Sequence, residues 1–216
     1  MANVLAKSAP AKTVADLLAR LGNIPPRRVR LIPVPGTATE KDVIEVEASE
    51  DRLCELVEGT LVEKVMGFEE SELAASVIFF LSAFVRPRKL GIVTGPDGTI
   101  RLMPGLVRIP DIAFLSRARF PGGKRPKEAI PHLAPDLVVE VLSKGNTKKE
   151  MRRKLREYFD AGVPLIWYVD AKTHTVQVFT AVDRSVTLRE DQTLDGGNVL
   201  PGFRLPLSQL FAEPDE

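Results

Sequence analysis

Residues 135–154 have the sequence PDLVVEVLSKGNTKKEMRRK, in which a strand pattern is followed directly by a helix pattern. The segment Leu137–Leu142 is a valine-rich apolar run that carries one charge, Glu140, and leads into a Ser-Lys-Gly-Asn turn. Such a run is typical of a strand that is buried on both faces. Because side chains alternate along a strand, we expect the Glu140 carboxylate to point into covered space, where a charge needs a partner.

The helix that follows offers this partner. Thr147 and Glu150 stand three residues apart, which is the spacing of a capping box, and they predict the start of a helix. The apolar residues behind them repeat at helical spacing, and Lys154 lies at the edge of their stripe. A lysine in that place can lie along its own apolar stem and carry its ammonium toward the sheet. Glu140 and Lys154 therefore form either a structural ion pair or half of a metal-dependent active site.

Strands and helices alternate along the rest of the chain. The strand–helix–strand order over residues 137–169 predicts a βαβ crossover and a parallel pair of strands. A further helix is expected from Ser71 to Val85, and a strand over residues 107–116. Hairpins are predicted around Glu58-Gly59, around the turn 95–98, and across residues 165–180. The predicted fold class is α/β, in the form of an α+β mixed sheet with a crossover flanked by hairpins and helices.

The composition indicates one domain with an appendage. Residues 1–45 predict an N-terminal extension that holds a short helix and a proline-rich segment, and residues 46–213 predict the compact domain, ahead of an acidic tail. The extension carries three arginines beside its prolines, Arg27, Arg28 and Arg30. We expect these arginines to be solvated, with phosphate contact as the alternative.

The net charge, the residue counts and the absence of certain motifs argue against several classes of protein. A net charge of +1 argues against a broadly basic nucleic-acid coat. One cysteine and two histidines leave too few ligands for a zinc centre built from these residues, and they suit a reducing cytoplasm. The glycine patterns of nucleotide-binding loops are absent from the sequence. After these exclusions, the candidate functional groups are carboxylates and lysines on a sheet. Carboxylate oxygens suit Mg²⁺ or Mn²⁺.

Asp111 is the predicted partner of Glu140. The dipeptide Pro-Asp occurs four times, but Asp97 belongs to a turn and Asp215 to the tail. Asp136 precedes Glu140 by four residues, about 13 Å along an extended strand, which is too far to share one ion. Asp111 lies in a separate predicted strand that can run beside the central one. Pro110-Asp111 can also be read as a bulge at a sheet edge.

Taken together, these motifs resemble the Uma-two family of restriction-endonuclease-like proteins in the PD-(D/E)XK nuclease superfamily. The resemblance covers residues 50–205. It depends on Pro110-Asp111, on Glu140 within Val-Val-Glu-Val-Leu-Ser, and on Lys154. Further along the chain, Tyr158, Gly162 and Trp-Tyr-Val-Asp at 167–170 also match. The resemblance implies a restriction-endonuclease-like core and hydrolysis of DNA phosphodiester bonds.

The family also implies roles for individual residues. Asp111 and Glu140 would bind Mg²⁺ or Mn²⁺, with Glu55 as a further metal ligand, and Lys154 would be the catalytic lysine. The superfamily lysine usually stands two residues after the glutamate, where this chain has Leu142. In this family the lysine moves to the following helix, which Lys154 fits, and Lys144 is the reserve candidate.

Cationic residues that flank the predicted site in sequence are candidates for DNA contact, and the alternative for them is a solvated loop and helix face. They are Arg117, Arg119, Lys124, Arg125 and Lys127 in a Gly/Pro-rich loop, and Lys148, Lys149, Arg152 and Arg153 on the helix. Homodimerisation is plausible by analogy with the family. Two other functions stay open: an inactive nuclease fold that binds nucleic acid or protein, and a metal-free carboxylate hydrolase such as a glycosidase.

Overall fold

A computed structural model of the chain describes residues 11–212. The first part of the predicted extension and the predicted acidic tail lie outside these residues. The helices are α1 (Val14–Arg20), α2 (Glu40–Glu50), α3 (Phe68–Val85), α4 (Lys148–Asp160) and α5 (Leu207–Leu210). The strands are β1 (Cys54–Val57), β2 (Thr60–Glu63), β3 (Gly91–Thr94), β4 (Ile100–Met103), β5 (Leu106–Arg108), β6 (Ile112–Ser116), β7 (Leu137–Leu142), β8 (Leu165–Asp170), β9 (Thr175–Ala181), β10 (Arg184–Arg189), β11 (Thr193–Gly196) and β12 (Leu200–Pro206).

A six-stranded mixed sheet in the order β10-β9-β8-β7-β6-β3 forms the centre of the fold. Strands β7 and β8 are parallel and joined through α4, whereas their neighbours β6 and β9 run antiparallel to them. The structure thus confirms the predicted βαβ crossover and the mixed α/β class. A four-stranded sheet, β2-β1-β5-β4, and the pair β11-β12 complete the strands of the described residues.

The two faces of β7 pack against different layers. Val139 and its strand neighbours on that face pack with the apolar face of α3 and with β12. On the other face, Val138 packs with α4 and with one side of the four-stranded sheet. Glu140 shares this second face because residues alternate along the strand. Its carboxylate is therefore enclosed between α4 and the four-stranded sheet, as the alternation predicts. Within residues 11–212, helices of the length and hydrophobicity needed to cross a bilayer are absent.

Some local predictions were wrong. The hairpin predicted around residues 95–98 does not form, because β3 pairs with β6 and β4 pairs with β5 in the other sheet. The strand predicted over residues 107–116 is likewise divided between the two sheets as β5 and β6. Pro110 lies in the gap, where a residue without an N–H group interrupts a ladder. Helix α3 begins one turn earlier than predicted, with Gly67 and not Ser71 as its N-cap.

The N-terminal segment packs against the rest of the molecule. Leu21 and Ile24 are buried in the same apolar cluster as Tyr158 of α4. Arg28 is also buried, which corrects the expectation that it is solvated, and it pairs with Glu150 at 2.7 Å. The predicted boundary at residue 45 falls inside α2. The division into an extension and a domain stays a prediction.

Candidate active site

The antiparallel register of β6 and β7 brings Asp111 beside Glu140. Ile112 is paired with Val139, so the residue before Ile112 lies opposite Glu140. The Oδ2 atom of Asp111 accepts a hydrogen bond of 2.7 Å from the backbone N–H of Val141, which fixes the carboxylate at the side of β7. Both carboxylates are buried, with 6% and 4% of the surface of Asp111 and Glu140 exposed.

Helix α4 supplies two groups to Glu140. The Nζ atom of Lys154 lies 3.2 Å from each of the two carboxylate oxygens. The hydroxyl of Tyr158 donates a hydrogen bond of 2.5 Å to Oε1. Lys154 and Tyr158 are four residues apart and so project from the same face of the helix. The capping box of Thr147 and Glu150, predicted from the sequence, fixes where this helix begins.

Glu55 of β1 lies beside the same lysine, Lys154, and is almost fully buried. Its Oε1 atom lies 3.2 Å from Lys154 Nζ and its Oε2 atom 2.6 Å from Arg108 Nη1. The guanidinium of Arg108 also binds Glu157 of α4. Lys154 is thus shared between Glu55 and Glu140, and the charges connect the four-stranded sheet, the six-stranded sheet and α4.

Burial and charge set the protonation of these groups. Burial raises the pKa of Glu140 above the ordinary value for a glutamate; Lys154 opposes the rise, and Asp111 adds to it. Burial alone would lower the pKa of Lys154, but Glu140 and Glu55 hold it above its ordinary value. Burial alone would raise the pKa of Glu55, but Lys154 and Arg108 hold it well below the usual range. Lys154 is therefore charged at neutral pH, and the pKa of Glu140 moves in the direction expected of a buried carboxyl beside another carboxylate.

Comparisons with known proteins identify the family and the fold. A family model described as "Putative restriction endonuclease", Uma2, matches residues 41–208. The chain belongs to the Uma2 family. A solved structure, described as a putative nuclease belonging to DUF820 from Anabaena variabilis ATCC 29413, superposes with a TM-score of 0.66 and 18% sequence identity, over 74% of this chain and 90% of that one. At this identity the superposition supports the fold alone, and it confirms the predicted restriction-endonuclease-like core. Among curated proteins, no match was found.

Lys64, which lies just after β2 in this Uma2 chain, is a pocket residue that was not predicted from the sequence. Its Nζ atom lies 2.8 Å from Asp111 Oδ1 and donates a hydrogen bond of 2.5 Å to the backbone oxygen of Ile109. Nothing in its sequence spacing relates it to Asp111, which is 47 positions further on. The Tyr158 hydroxyl could have been found, because Tyr158 follows Lys154 by one helical turn.

The donors of the pocket suit a hard divalent ion. Glu55, Asp111 and Glu140 all line one small cavity of about 20 Å³, and carboxylate oxygens are preferred ligands of Mg²⁺. In the part of the chain that the structure describes, no group of three or more His, Cys, Asp or Glu side chains is arranged to hold one ion. Arg28, Lys64 and Lys154 line the same cavity and supply positive charge. A divalent ion that binds Asp111 therefore competes with the ammonium of Lys64.

The predicted DNA-binding residues lie at two separate places. Lys148 and Arg152 line a large cleft beside the C-terminal end of β7, as does the reserve lysine, Lys144. Arg119 pairs with Asp136 just before the N-terminal end of β7. Seven residues of extended strand separate the two places, about 23 Å. Lys124 and Arg125 are exposed in the loop that follows Arg119. The DNA-binding role of both groups stays a prediction.

Proposed function

We propose that this Uma2 protein is a metal-dependent endonuclease that hydrolyses phosphodiester bonds of DNA, with Mg²⁺ or Mn²⁺ as its cofactor. One observation carries the proposal: in a chain of this family, Asp111, Glu140, Glu55 and Lys154 line a single buried pocket. The glycosidase alternative loses support because membership of Uma2 points to nucleic acid. A cytoplasmic location and a homodimer stay predictions.

Asp111 and Glu140 would hold the ion, and Glu55 would be a further ligand or a second-site carboxylate. A bound divalent ion polarises a phosphodiester and lowers the pKa of a water molecule. The backbone N–H of Val141 and the hydroxyl of Tyr158 restrict the movement of the two carboxylates, and both carboxylate residues line the pocket. Such preorganisation saves reorganisation when charge develops.

Lys154 would stabilise charge that develops on the phosphate or orient the attacking water. Its pKa lies above the ordinary value, so it carries a full positive charge and acts as an electrostatic group and not as a general base. With 5% of its surface exposed, its charge is screened little by solvent and acts strongly over short distances.

An inactive nuclease fold is the second candidate. The observation that favours it is the ion pair of Lys64 with Asp111, which together with Lys154 places two ammonium groups among the carboxylates of the pocket in the absence of metal. Leu142 stands at the usual position of the superfamily lysine, which also favours an inactive fold. Such a protein would bind nucleic acid or protein without cleaving it.

Cleavage of supercoiled plasmid DNA in Mn²⁺ separates the two candidates. We expect the wild type to nick the plasmid and Asp111→Asn to lose at least about 100-fold of the rate, since a metal ligand supplies several kcal/mol of transition-state stabilisation. The matched control is Asp97→Asn, which changes an exposed Pro-Asp aspartate and should leave the rate unchanged. An inactive wild type would count against the nuclease, and equal rates for Asp111→Asn and an active wild type would count against Asp111 as a metal ligand.

A further inference from the structure

A large cleft lies between α4 and the edge of the six-stranded sheet. Its volume is about 830 Å³, within the range of ligand-binding pockets. One wall is the exposed side of α4, and the other comes from β8, β9 and the turn into β10. Leu155, Tyr168 and Phe179 give the cleft an apolar interior, where the two aromatic rings pack edge to face at 5.0 Å.

Cationic side chains follow the helical wall of the cleft. Lys148, Arg152 and Arg156 are spaced four residues apart, so they form a row along one side of α4 at intervals of about 6 Å. All three are exposed, and among the described residues none of them has an ion-pair partner. An unpaired row of this kind does not stabilise the fold and is available to an anionic ligand.

The cleft borders the carboxylate pocket. Glu70, Ser143 and Asn146 line both cavities, so they form the border between them. Asn146 Oδ1 accepts hydrogen bonds from the N–H and the hydroxyl of Ser143, which holds the turn after β7 in place at this border. A polymer that lies in the cleft therefore passes beside the residues that separate it from the carboxylate pocket.

We propose that this cleft binds a short unpaired segment of nucleic acid, with phosphates on the row of Lys148, Arg152 and Arg156 and bases toward the sheet. The inference rests on the proposed nuclease function and specifies its substrate as single-stranded at this site. Asp170 and Asp183 lie on the sheet side of the cleft with one cation, Lys172, so the charged side chains of that wall are net negative and disfavour phosphates. The apolar interior between the two walls suits the faces of bases.

The size of the cleft is what favours a single strand. In a duplex the bases are stacked and paired inside, so only the phosphates and groove edges can meet a protein surface. A cleft of about 830 Å³ with an apolar interior can enclose a few nucleotides but not a double helix. A duplex would touch the row on α4 and leave the apolar interior without contacts.

Fluorescence anisotropy with a labelled twelve-nucleotide oligo-dT strand, in EDTA to prevent cleavage, tests the inference. We expect the single strand to bind at least about tenfold more tightly than the dT–dA duplex of the same length. The double variant Arg152→Gln/Arg156→Gln should weaken binding of the single strand by about tenfold or more. It should also lower the slope of log affinity against log salt by about 1.4, because each phosphate contact to a single strand contributes about 0.7.

The matched control is Arg184→Gln, which removes an exposed arginine from β10 that does not line the cleft. Its affinity should stay within about twofold of wild type. Both arginines of the test variant are exposed, so its thermal midpoint should match that of wild type and a folding defect can be recognised. Equal binding of single strand and duplex, equal effects of test and control variants, or no binding of the oligonucleotide would each overturn the inference.

The result of this binding test can be distinguished from the result of the cleavage test of the proposed function. Selective single-strand binding by a protein that cleaves nothing in Mn²⁺ would support the cleft and reject the nuclease. Mn²⁺-dependent cleavage of duplex DNA without selective single-strand binding would support the nuclease and reject the cleft. Binding of another protein without binding of the oligonucleotide would also contradict the inference about the cleft.

Discussion

Lys64 is the residue that decides how a divalent ion can enter the carboxylate pocket. Its ammonium contacts Asp111 at 2.8 Å, and only a tenth of its side chain is exposed. Addition of a divalent ion beside a carboxylate that an ammonium already neutralises is costly unless that ammonium leaves. Lys154 contacts two carboxylates and is held by both, whereas Lys64 contacts one carboxylate and a backbone oxygen. Lys64 is the cation that can be displaced at the lower cost.

We predict that Lys64→Gln binds Mn²⁺ more tightly than the wild type, by about tenfold, which corresponds to about 1.4 kcal/mol. Glutamine can still donate a hydrogen bond to the Ile109 oxygen, but it no longer competes with the ion through its charge. Calorimetric titration of Mn²⁺ into both proteins gives the ratio directly. Lys41→Gln, which alters an exposed lysine of α2, is the control. Equal or weaker binding by Lys64→Gln would show that the lysine does not compete with the metal.

At the scale of elements, α4 positions most of the site. Its N-terminal turn is fixed by the capping box, in which the Glu150 N–H donates to Thr147 Oγ1 at 3.0 Å. The Thr147 hydroxyl also donates to the backbone oxygen of Gly22 at 2.5 Å, which joins the start of the helix to the N-terminal segment. From that start, Lys154 and Tyr158 contact Glu140 while Lys148 and Arg152 line the cleft.

We predict that Thr147→Ala lowers the free energy of unfolding by about 1 to 2 kcal/mol, because it removes the side-chain cap and the bond to Gly22. Thr147→Ser keeps the hydroxyl and should lose clearly less. Urea unfolding of the three proteins, followed by circular dichroism, measures the difference. If the alanine and serine variants prove equally stable, the hydroxyl is not what fixes the helix.

The sequence predicted β7, α4 and β8 correctly because their signals are local: an apolar run, a capping box and a helical stripe. The hairpin around residues 95–98 failed because a turn signal does not say which sheet each arm will join. The pocket is lined by residues of β1, α3, β7 and α4, by the residue before β6, by the residues that follow β2 and β7, and by Arg28, so its contacts span most of the chain. Asp111, Glu140 and Lys154 could be grouped from alternation and the family resemblance. No such sequence signal identifies Lys64, and its contact with Asp111 is visible only in the three-dimensional structure.

For the whole molecule, the N-terminal segment is part of the support of the site. Arg28 Nη1 contacts Glu150 at 2.7 Å, and its Nε atom donates to the backbone oxygen of Glu63 at 2.9 Å. Arg28 therefore joins α4 to the end of β2, and it also lines the carboxylate pocket. Both Arg28 and Glu150 are buried, so the pair is shielded from water.

We predict that Arg28→Met destabilises the protein by about 3 kcal/mol or more, because removal of one partner leaves the buried charge of Glu150 uncompensated. The neighbouring residue provides a matched control: Arg27 is exposed, and Arg27→Met should change the free energy of unfolding by less than about 0.5 kcal/mol. Urea unfolding of both variants measures this contrast. Equal stabilities would mean that the segment lies on the surface of α4 without supporting it. A large difference would mean that the segment before the family-matched region belongs to the same cooperative unit as the carboxylate pocket, since the charge that Arg28 neutralises lies one helical turn before Lys154.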